Sequence, residues 1–432
     1  MKISVIGAGY LGATHAICMA SLGHEVVVVD NDARKIAQLN SGALPFFEPG
    51  LAELLDKVKN TNKIKFTTDL SEVSDCEINF LCIGTPQTAN SLAADLSALK
   101  GAFTSLIAVA KAGSLVVGKS TVPVGTAQQL ADEIERNKKS LTLNWNPEFL
   151  REGHALVDTL EPNRIVIGAQ SPADARALAD FYRSVSPKAP QFITNFPTAE
   201  LVKVSANAFL ATKISFINAI SEVSDATGAD VTLLADAIGI DDRIGRKFLG
   251  AGIGFGGGCL PKDIRAFLAR GEELGVGASL QFLTEVDRTN QRARTRAVDI
   301  AVKELGEPSE KKIAVLGAAF KPDSDDVRDS PALEIANSLA QLGANVFVTD
   351  PRALKNAAEK IPELNYCESI TETLRDADLI MLLTEWSEYR ALDPVEVKKL
   401  VKSATIFDGR NALDVARWQS AGWRLLALGR PL

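Results

Sequence analysis

The chain has 432 residues, 46% of them apolar, and a formal net charge of -7. That length suits two or three domains with ample cores. The acidic balance argues against a nucleic-acid partner, which calls for a basic stripe, so an anionic ligand has to be met by local cations and backbone amides.

Lys2 to Ile6 reads as a short buried strand, followed by a glycine loop and an apolar helical stretch to Leu22. The glycines at 7, 9 and 12 break that stretch, so it is not read as a secretory signal. Val26 to Val29 is a second strand, ending at Asp30. Strand-like runs recur at Glu77–Ile83, Ser114–Gly118, Leu141–Trp145 and Arg164–Gly168, with helical stretches between them. That alternation predicts a parallel sheet covered on both faces. From Pro197 to Thr227 there is no strand signal and no glycine, which predicts one helix of ~30 residues, ~45 Å long. Another helical stretch runs from Ala278 to Leu305. Helices of that length link domains or form a subunit interface.

The opening pattern then returns. Lys312 to Ala318 echoes Lys2 to Ala8, and Gly343 through Asp350 echoes Gly23 through Asp30, with Lys321 to Ser330 inserted in the second copy. The expected fold is α/β, with two Rossmann-like parallel-sheet domains joined by a long central helix. The expected boundaries are 1–196, a central helical region at 197–300, and 301–432. Two such copies suggest two nucleotide-like ligands, although any two parallel-sheet domains share this much. No apolar run reaches the ~18 residues of a membrane span.

Gly7-Ala8-Gly9-Tyr10-Leu11-Gly12 is a GxGxxG motif. It follows a strand, opens a helix and has Asp30 at the end of the next strand, which is the context for dinucleotide binding. The glycines permit a tight turn, close approach of a pyrophosphate and helix–strand packing. Asp30 would accept hydrogen bonds from a ribose diol and repel a 2′-phosphate, so NAD is favoured over NADP. The rival reading is a glycine turn with no ligand.

Five scattered cysteines without a CxxC pair argue against a disulfide framework or a zinc site and fit a reducing cytoplasm. Three histidines give little basis for a metal centre, and no metal is expected. Cys18, Cys76, Cys82 and Cys367 read as small buried residues. Cys259 stands apart, because glycines at 250, 252, 254, 256, 257 and 258 precede it and Leu260-Pro261-Lys262-Asp263 follows. So many glycines carry a cost in chain entropy, and they make sense where backbone comes close to a ligand. Pro261 suits the first turn of a helix, which puts Cys259 just before a helix N-terminus, where a thiolate is favoured. Lys262 adds positive charge, and Asp263 could position a water.

Lys203 and Asn207 are spaced i, i+4 on the long helix and share a face. They could stabilise an oxyanion or form part of a solvated surface. Ser120 to Thr126 and Asn146 to Leu150 each follow a strand, at the edge where open α/β sheets bind ligands. Glu148 is then a candidate acid or base and Thr121 a candidate hydrogen-bonding partner, unless both serve ordinary turns.

At these residues the chain resembles the UDP-glucose/GDP-mannose dehydrogenase family over essentially its whole length. The resemblance rests on Gly7–Gly12, Gly84-Thr85-Pro86, Ser120–Thr126, Asn146–Gly153, Lys203–Asn207, Gly254–Asp263, Phe320-Lys321-Pro322 with Asp325-Asp326-Val327-Arg328, and Asp408-Gly409-Arg410. It implies a four-electron oxidation of UDP-glucose at C6, with NAD as oxidant and a thiohemiacetal and then a thioester on Cys259. Water steered by Asp263 and Glu148 would hydrolyse the thioester, and Lys203 and Asn207 would steady the oxyanion. It implies cofactor contacts at Tyr10, Leu11, Lys35, Thr85, Pro86, Thr121, Glu152, Lys262 and Arg328. Substrate contacts are implied at Phe149, Leu150, Arg151, Lys203, Asn207, Phe255, Gly256, Phe320, Lys321 and Arg410. Arg243 would reach across a homodimer built around the central helix. The N-terminal copy would hold NAD and the C-terminal copy the uridine diphosphate.

The Gln87 to Ala94 loop, His154 and Gly258 depart from the family pattern. Rival readings are oxidation of another nucleotide sugar (GDP-mannose or a UDP-N-acetylhexosamine), a two-electron hydroxyacid or 6-phosphogluconate-type dehydrogenase, and a non-enzymatic NAD sensor.

Overall fold

The computed structural model describes residues 1–431. The chain divides into two compact units, residues 1–206 with 265–277, and residues 207–264 with those from 278 onward.

The first unit is built on eight strands: β1 (Lys2–Ile6), β2 (Glu25–Val29), β3 (Ile64–Thr67), β4 (Ile78–Leu81), β5 (Leu115–Gly118), β6 (Thr142–Trp145), β7 (Ile165–Gly168) and β8 (Gln191–Thr194). Their spatial order is 3-2-1-4-5-6-7-8. Runs such as KISVI, EVVVV and LVVG are apolar and β-branched because both faces of these strands are covered. The order reverses between β1 and β4, which creates a switch point at the carboxyl edge.

The sheet is not wholly parallel. β6 and β7 pair antiparallel at Trp145 and Gly168, because the chain leaving β6 turns back through 146–164 and re-enters from the same end. The Asn146 carboxamide reinforces this step by donating to Val166 O at 2.8 Å. β3 and β8 give no clear sequence signal because both lie at sheet edges, and β8 exposes Phe192 and Ile193.

Five helices position functional residues in the two units. α1 (Tyr10–Ser21) follows β1, and α2 (Thr126–Arg136) follows β5. α3 (Phe196–Thr227) has 32 residues, about 48 Å. It starts where Asn195 Oδ1 accepts the Thr198 N–H at 2.9 Å, and it stops at Gly228, whose φ of 77° is left-handed. α4 (Leu260–Glu273) follows the cysteine loop. The stretch expected from Ala278 to Leu305 is two helices: a short turn, Gly277–Leu280, and then α5 (Phe282–Leu305), restarted where Thr284 N–H bonds Gln281 O. The division between the units falls inside α3 and again inside α4.

The second unit carries β9 (Lys312–Leu316), β10 (Asn345–Thr349), β11 (Asn365–Tyr366), β12 (Leu379–Leu382), β13 (Thr405–Asp408) and β14 (Arg424–Ala427). Their order is 11-10-9-12-13-14, all parallel, and α6 (Pro331–Gln341) follows β9. Val315, Ile380, Met381, Phe407 and Trp418 are buried in its core. Among the described residues no helix is long and apolar enough to cross a membrane, and no group of three or more His, Cys, Asp or Glu could hold a metal.

Candidate functional site

In the first unit the GxGxxG glycines serve three separate purposes. Gly7 adopts φ 100°, and a Cβ there would lie 2.6 Å from Cys82 O. A Cβ on Gly12 would lie 1.8 Å from Gly7 O, so this glycine lets α1 press against the loop. Gly9 faces open space, where a ligand can approach the backbone. α1 has no side-chain cap, so its first amides are available to an anion. Asp30 is buried: Oδ2 accepts the Ala8 N–H at 2.7 Å, Oδ1 accepts the Asp32 N–H at 2.9 Å, and Lys35 Nζ stands 3.6 Å from Oδ2. Each oxygen keeps acceptor capacity for a ribose hydroxyl. These residues fit a dinucleotide with a free 2′-hydroxyl.

The loops after β4 and β5 are tied together. Thr85 Oγ1 donates to Thr121 O at 2.7 Å, and Ser120 Oγ donates to Ile83 O at 2.6 Å. Thr85 and Thr121 therefore lie side by side, with exposed Pro86 next in the chain.

The loop after β6 is equally constrained. Glu148 Oε1 accepts from Lys203 Nζ at 2.9 Å and Oε2 from the Leu150 N–H at 2.8 Å. The Glu148 and Lys203 side chains are only 13% and 6% exposed. Two cations flank the Phe149 ring, Arg164 at 3.8 Å and Lys203 at 5.5 Å. Arg151 points outward and pairs with Asp158. The turn containing Glu152 is held by Glu48, whose oxygens accept the Gly153 and Ala155 N–H groups at 2.7 Å each and which also bonds the Tyr10 hydroxyl. Burial, followed by the Glu48 bond, pushes the Tyr10 phenol well above its usual range.

In the second unit, Cys259 is the residue before α4, and its carbonyl accepts the Asp263 N–H at 3.0 Å. It is exposed, whereas Cys18, Cys76 and Cys82 are buried. Burial pushes those three thiols up to about 12, 11 and 12, which suits inert core residues. Asp263, in the first turn of α4, is buried and doubly engaged: Oδ2 accepts from Asn207 Nδ2 and Oδ1 from Lys262 Nζ, both at 2.6 Å. Lys203 and Asn207, one turn apart on α3, are both buried, which removes the solvated-face reading. Each engages a carboxylate.

In the glycine loop before Cys259, a Cβ at Gly252, Gly254, Gly256, Gly257 or Gly258 would meet protein atoms, whereas Gly250 faces open space. A Cβ would lie 2.3 Å from Asn290 Oδ1 at Gly254, 2.1 Å from Asp329 O at Gly256 and 2.3 Å from the Arg328 guanidinium at Gly258. The buried Asn290 carboxamide clasps Phe255 by accepting its N–H at 2.8 Å and donating to its carbonyl at 2.9 Å; Arg294 Nη2 adds a bond to the same carbonyl at 2.8 Å. Arg410 donates to Leu383 O, Gly254 O and Phe320 O at 2.8, 2.8 and 3.1 Å. Lys321 Nζ lies 5.3 Å from the Phe320 ring centroid. Phe255, Gly256, Phe320, Lys321, Arg328 and Arg410 are thereby gathered in this unit. Arg243 stands apart, exposed and paired with Asp241.

The sequence reading did not single out Glu48, Asn290 or Arg294. Their roles depend on distant backbone groups; the i, i+4 spacing of Asn290 and Arg294 on α5 was the only available sign.

Residues 1–186 match the NAD-binding domain of the UDP-glucose/GDP-mannose dehydrogenase family, 197–292 its central domain and 314–415 its UDP-binding domain. The chain is 40% identical over 435 residues to the UDP-glucose 6-dehydrogenase TuaD of Bacillus subtilis, covering 100% of this chain and 93% of that one. A UDP-glucose dehydrogenase structure from the archaeon Pyrobaculum islandicum aligns with a TM-score of 0.90 at 35% identity, covering 99% and 98% of the two chains. A UDP-D-ManNAc dehydrogenase structure from Pyrococcus horikoshii aligns with a TM-score of 0.88 at 28% identity, covering both chains fully.

Proposed function

The chain belongs to the UDP-glucose/GDP-mannose dehydrogenase family, and from that premise we propose that it oxidises UDP-glucose at C6 to UDP-glucuronate through a covalent intermediate on Cys259. The observation that carries this reading is the exposed Cys259 at the start of α4, with Asp263 buried in the next turn between Asn207 and Lys262.

The NAD-binding domain holds its cofactor through Gly7, Gly9, Gly12, Asp30 and Lys35. NAD supplies the two-electron acceptor for each of two successive oxidations. Between them, the Cys259 thiolate adds to the C6 aldehyde and forms a C–S bond. Lys203 and Asn207 steady the negative oxygen that results. Removal of two more electrons leaves a thioester. A water then adds to its carbonyl, the C–S bond breaks, and the thiolate departs as a carboxylate forms. Asp263 and Glu148 take up the two protons that this hydrolysis releases. Phe320, Lys321 and Arg410 meet the uridine diphosphate. The reaction takes place in the cytoplasm, where Cys259 stays reduced.

Two copies pair through α3, where Phe209, Phe216 and Val223 are 66%, 50% and 56% exposed and recur every seven residues along one stripe. Phe216→Glu should yield monomers in sedimentation velocity; a dimer as tight as the parent would remove this surface from consideration.

Cys259→Ala should lose net turnover of UDP-glucose while binding NAD normally, because the substitution removes the covalent step and leaves the glycine cradle intact. Steady NADH production by that variant would refute the mechanism. Faster turnover of a UDP-N-acetylhexosamine or of GDP-mannose would keep the mechanism and change the substrate.

A further inference from the structure

Glu200 lies on α3, one turn before Lys203, and its carboxylate is withdrawn from solvent at 1% exposure. Oε2 accepts the Gly125 N–H at 2.7 Å, and Oε1 accepts the Ala127 N–H at 2.7 Å. Those amides belong to the cap and first turn of α2, which otherwise has no side-chain cap. Glu200 therefore supplies, from a distant element, the acceptor that a helix start requires.

The same turn is gripped elsewhere. Arg270, on α4, donates through Nε to Val124 O at 2.9 Å, and its charge acts on Glu200. At the other end of the loop, Ser120 bonds Ile83 O and Thr85 bonds Thr121 O. The segment from Ser120 to Ala127 thus spans from the carboxyl edge of β5 to Glu200. β5 adjoins β4, which borders the switch point, so this loop stands where a sheet of this kind receives its ligand.

We infer that Glu200 is a positioning residue for the cofactor: one buried carboxylate fixes the Thr121 loop to the helix that carries Lys203, and so sets the cofactor edge and the catalytic ammonium together. The kinetic part of this inference rests on the oxidation proposed above; the NAD-binding part does not.

Burial pushes the Glu200 carboxyl up to about 6, against the opposing pull of the Ala127, Gly125 and Thr126 amides and of Arg270. The sign follows from the geometry. Above that value the carboxylate accepts both amides. Below it, one oxygen becomes a hydroxyl facing an N–H, and one half of the clamp opens.

The test is calorimetric titration of NAD into the whole protein, without sugar, from about pH 5 to about pH 8. Wild type should lose affinity by about tenfold as pH falls through the Glu200 transition. Glu200→Gln, a permanent analogue of the protonated state, should bind weakly at every pH and show no transition. Glu200→Asp should recover part of the affinity and keep a transition. In turnover, Glu200→Gln should lower kcat/KM for NAD and kcat together, because the same carboxylate holds the helix of Lys203. Full NAD affinity in Glu200→Gln, or an unaltered transition in that variant, overturns the inference. If the glutamine variant does not fold, wild type decides alone: NAD affinity independent of pH through this range overturns it. Failure of UDP-glucose to react would leave the NAD titration untouched, so the two readings fail separately.

Discussion

The chain carries one strand–loop–strand pattern twice, and the two copies end differently. In the first, Gly7, Gly9 and Gly12 lead directly from β1 into α1, whose start has no side-chain cap. In the second, residues 321–330 intervene after Gly317, and α6 begins only at Pro331, with Ser330 Oγ accepting the Leu333 N–H. The matching aspartates differ as well. Asp30 accepts from Ala8 and Asp32 and keeps capacity to spare. Asp350 accepts the amides of Ala318, Ala319, Arg352 and Ala353 and the Trp386 indole N–H, all between 2.8 and 3.1 Å. An acceptor with five donors has no room for a ribose diol. The same topology and the same aspartate therefore do not imply the same ligand. An open helix start and unused acceptor capacity make the first copy a dinucleotide site, whereas the second has turned the same features inward as structure.

Four substitutions would break or sharpen that contrast. Gly12→Val should have the largest effect, abolishing NAD binding in calorimetry, because its Cβ would fall 1.8 Å from a backbone oxygen that cannot move aside. Binding of UDP should survive; retention of NAD binding would undo the reading of the first copy. Asp350→Ala strands five donors, four of them buried, and should lower stability by about 3 kcal/mol, measured as a reduced urea midpoint. The folded variant should bind NAD as wild type does; a loss confined to NAD affinity, with stability unchanged, would mean that the two aspartates play the same part after all. Asp30→Ala should weaken NAD by roughly tenfold to a hundredfold and leave UDP affinity alone. The smallest effect is expected of Ser330→Ala, about 1 kcal/mol of stability through a lost helix cap, with neither ligand affected.

What was legible in the sequence was local. Glycine spacing, Asp30 closing the second strand, and a cysteine followed by proline are all defined within a few residues, and each stands in the structure at the element end its neighbours implied. The distant partnerships were not legible. Nothing near Glu200 says that it will cap a helix 75 residues away in sequence, and Glu48 bonds Gly153 across 105. Asn290 and Arg294 read as ordinary helix residues until Phe255 is seen between them. The glycines before Cys259 were conspicuous, but that several of them lie against Asn290, Asp329 and Arg328 was not legible. The turn back between β6 and β7 was missed because an alternating pattern does not specify strand direction.

The contrast between the copies also bears on stoichiometry. A chain with one open dinucleotide site must use it twice to complete a four-electron oxidation. The decisive measurement is NADH formed per UDP-glucose consumed, with the product's mass recorded and NAD binding titrated in parallel. Two NADH per sugar, a carboxylate product and one NAD bound per chain would establish the four-electron reaction proposed to run through Cys259. One NADH per sugar with a released aldehyde would contradict it and leave Cys259 without a catalytic role.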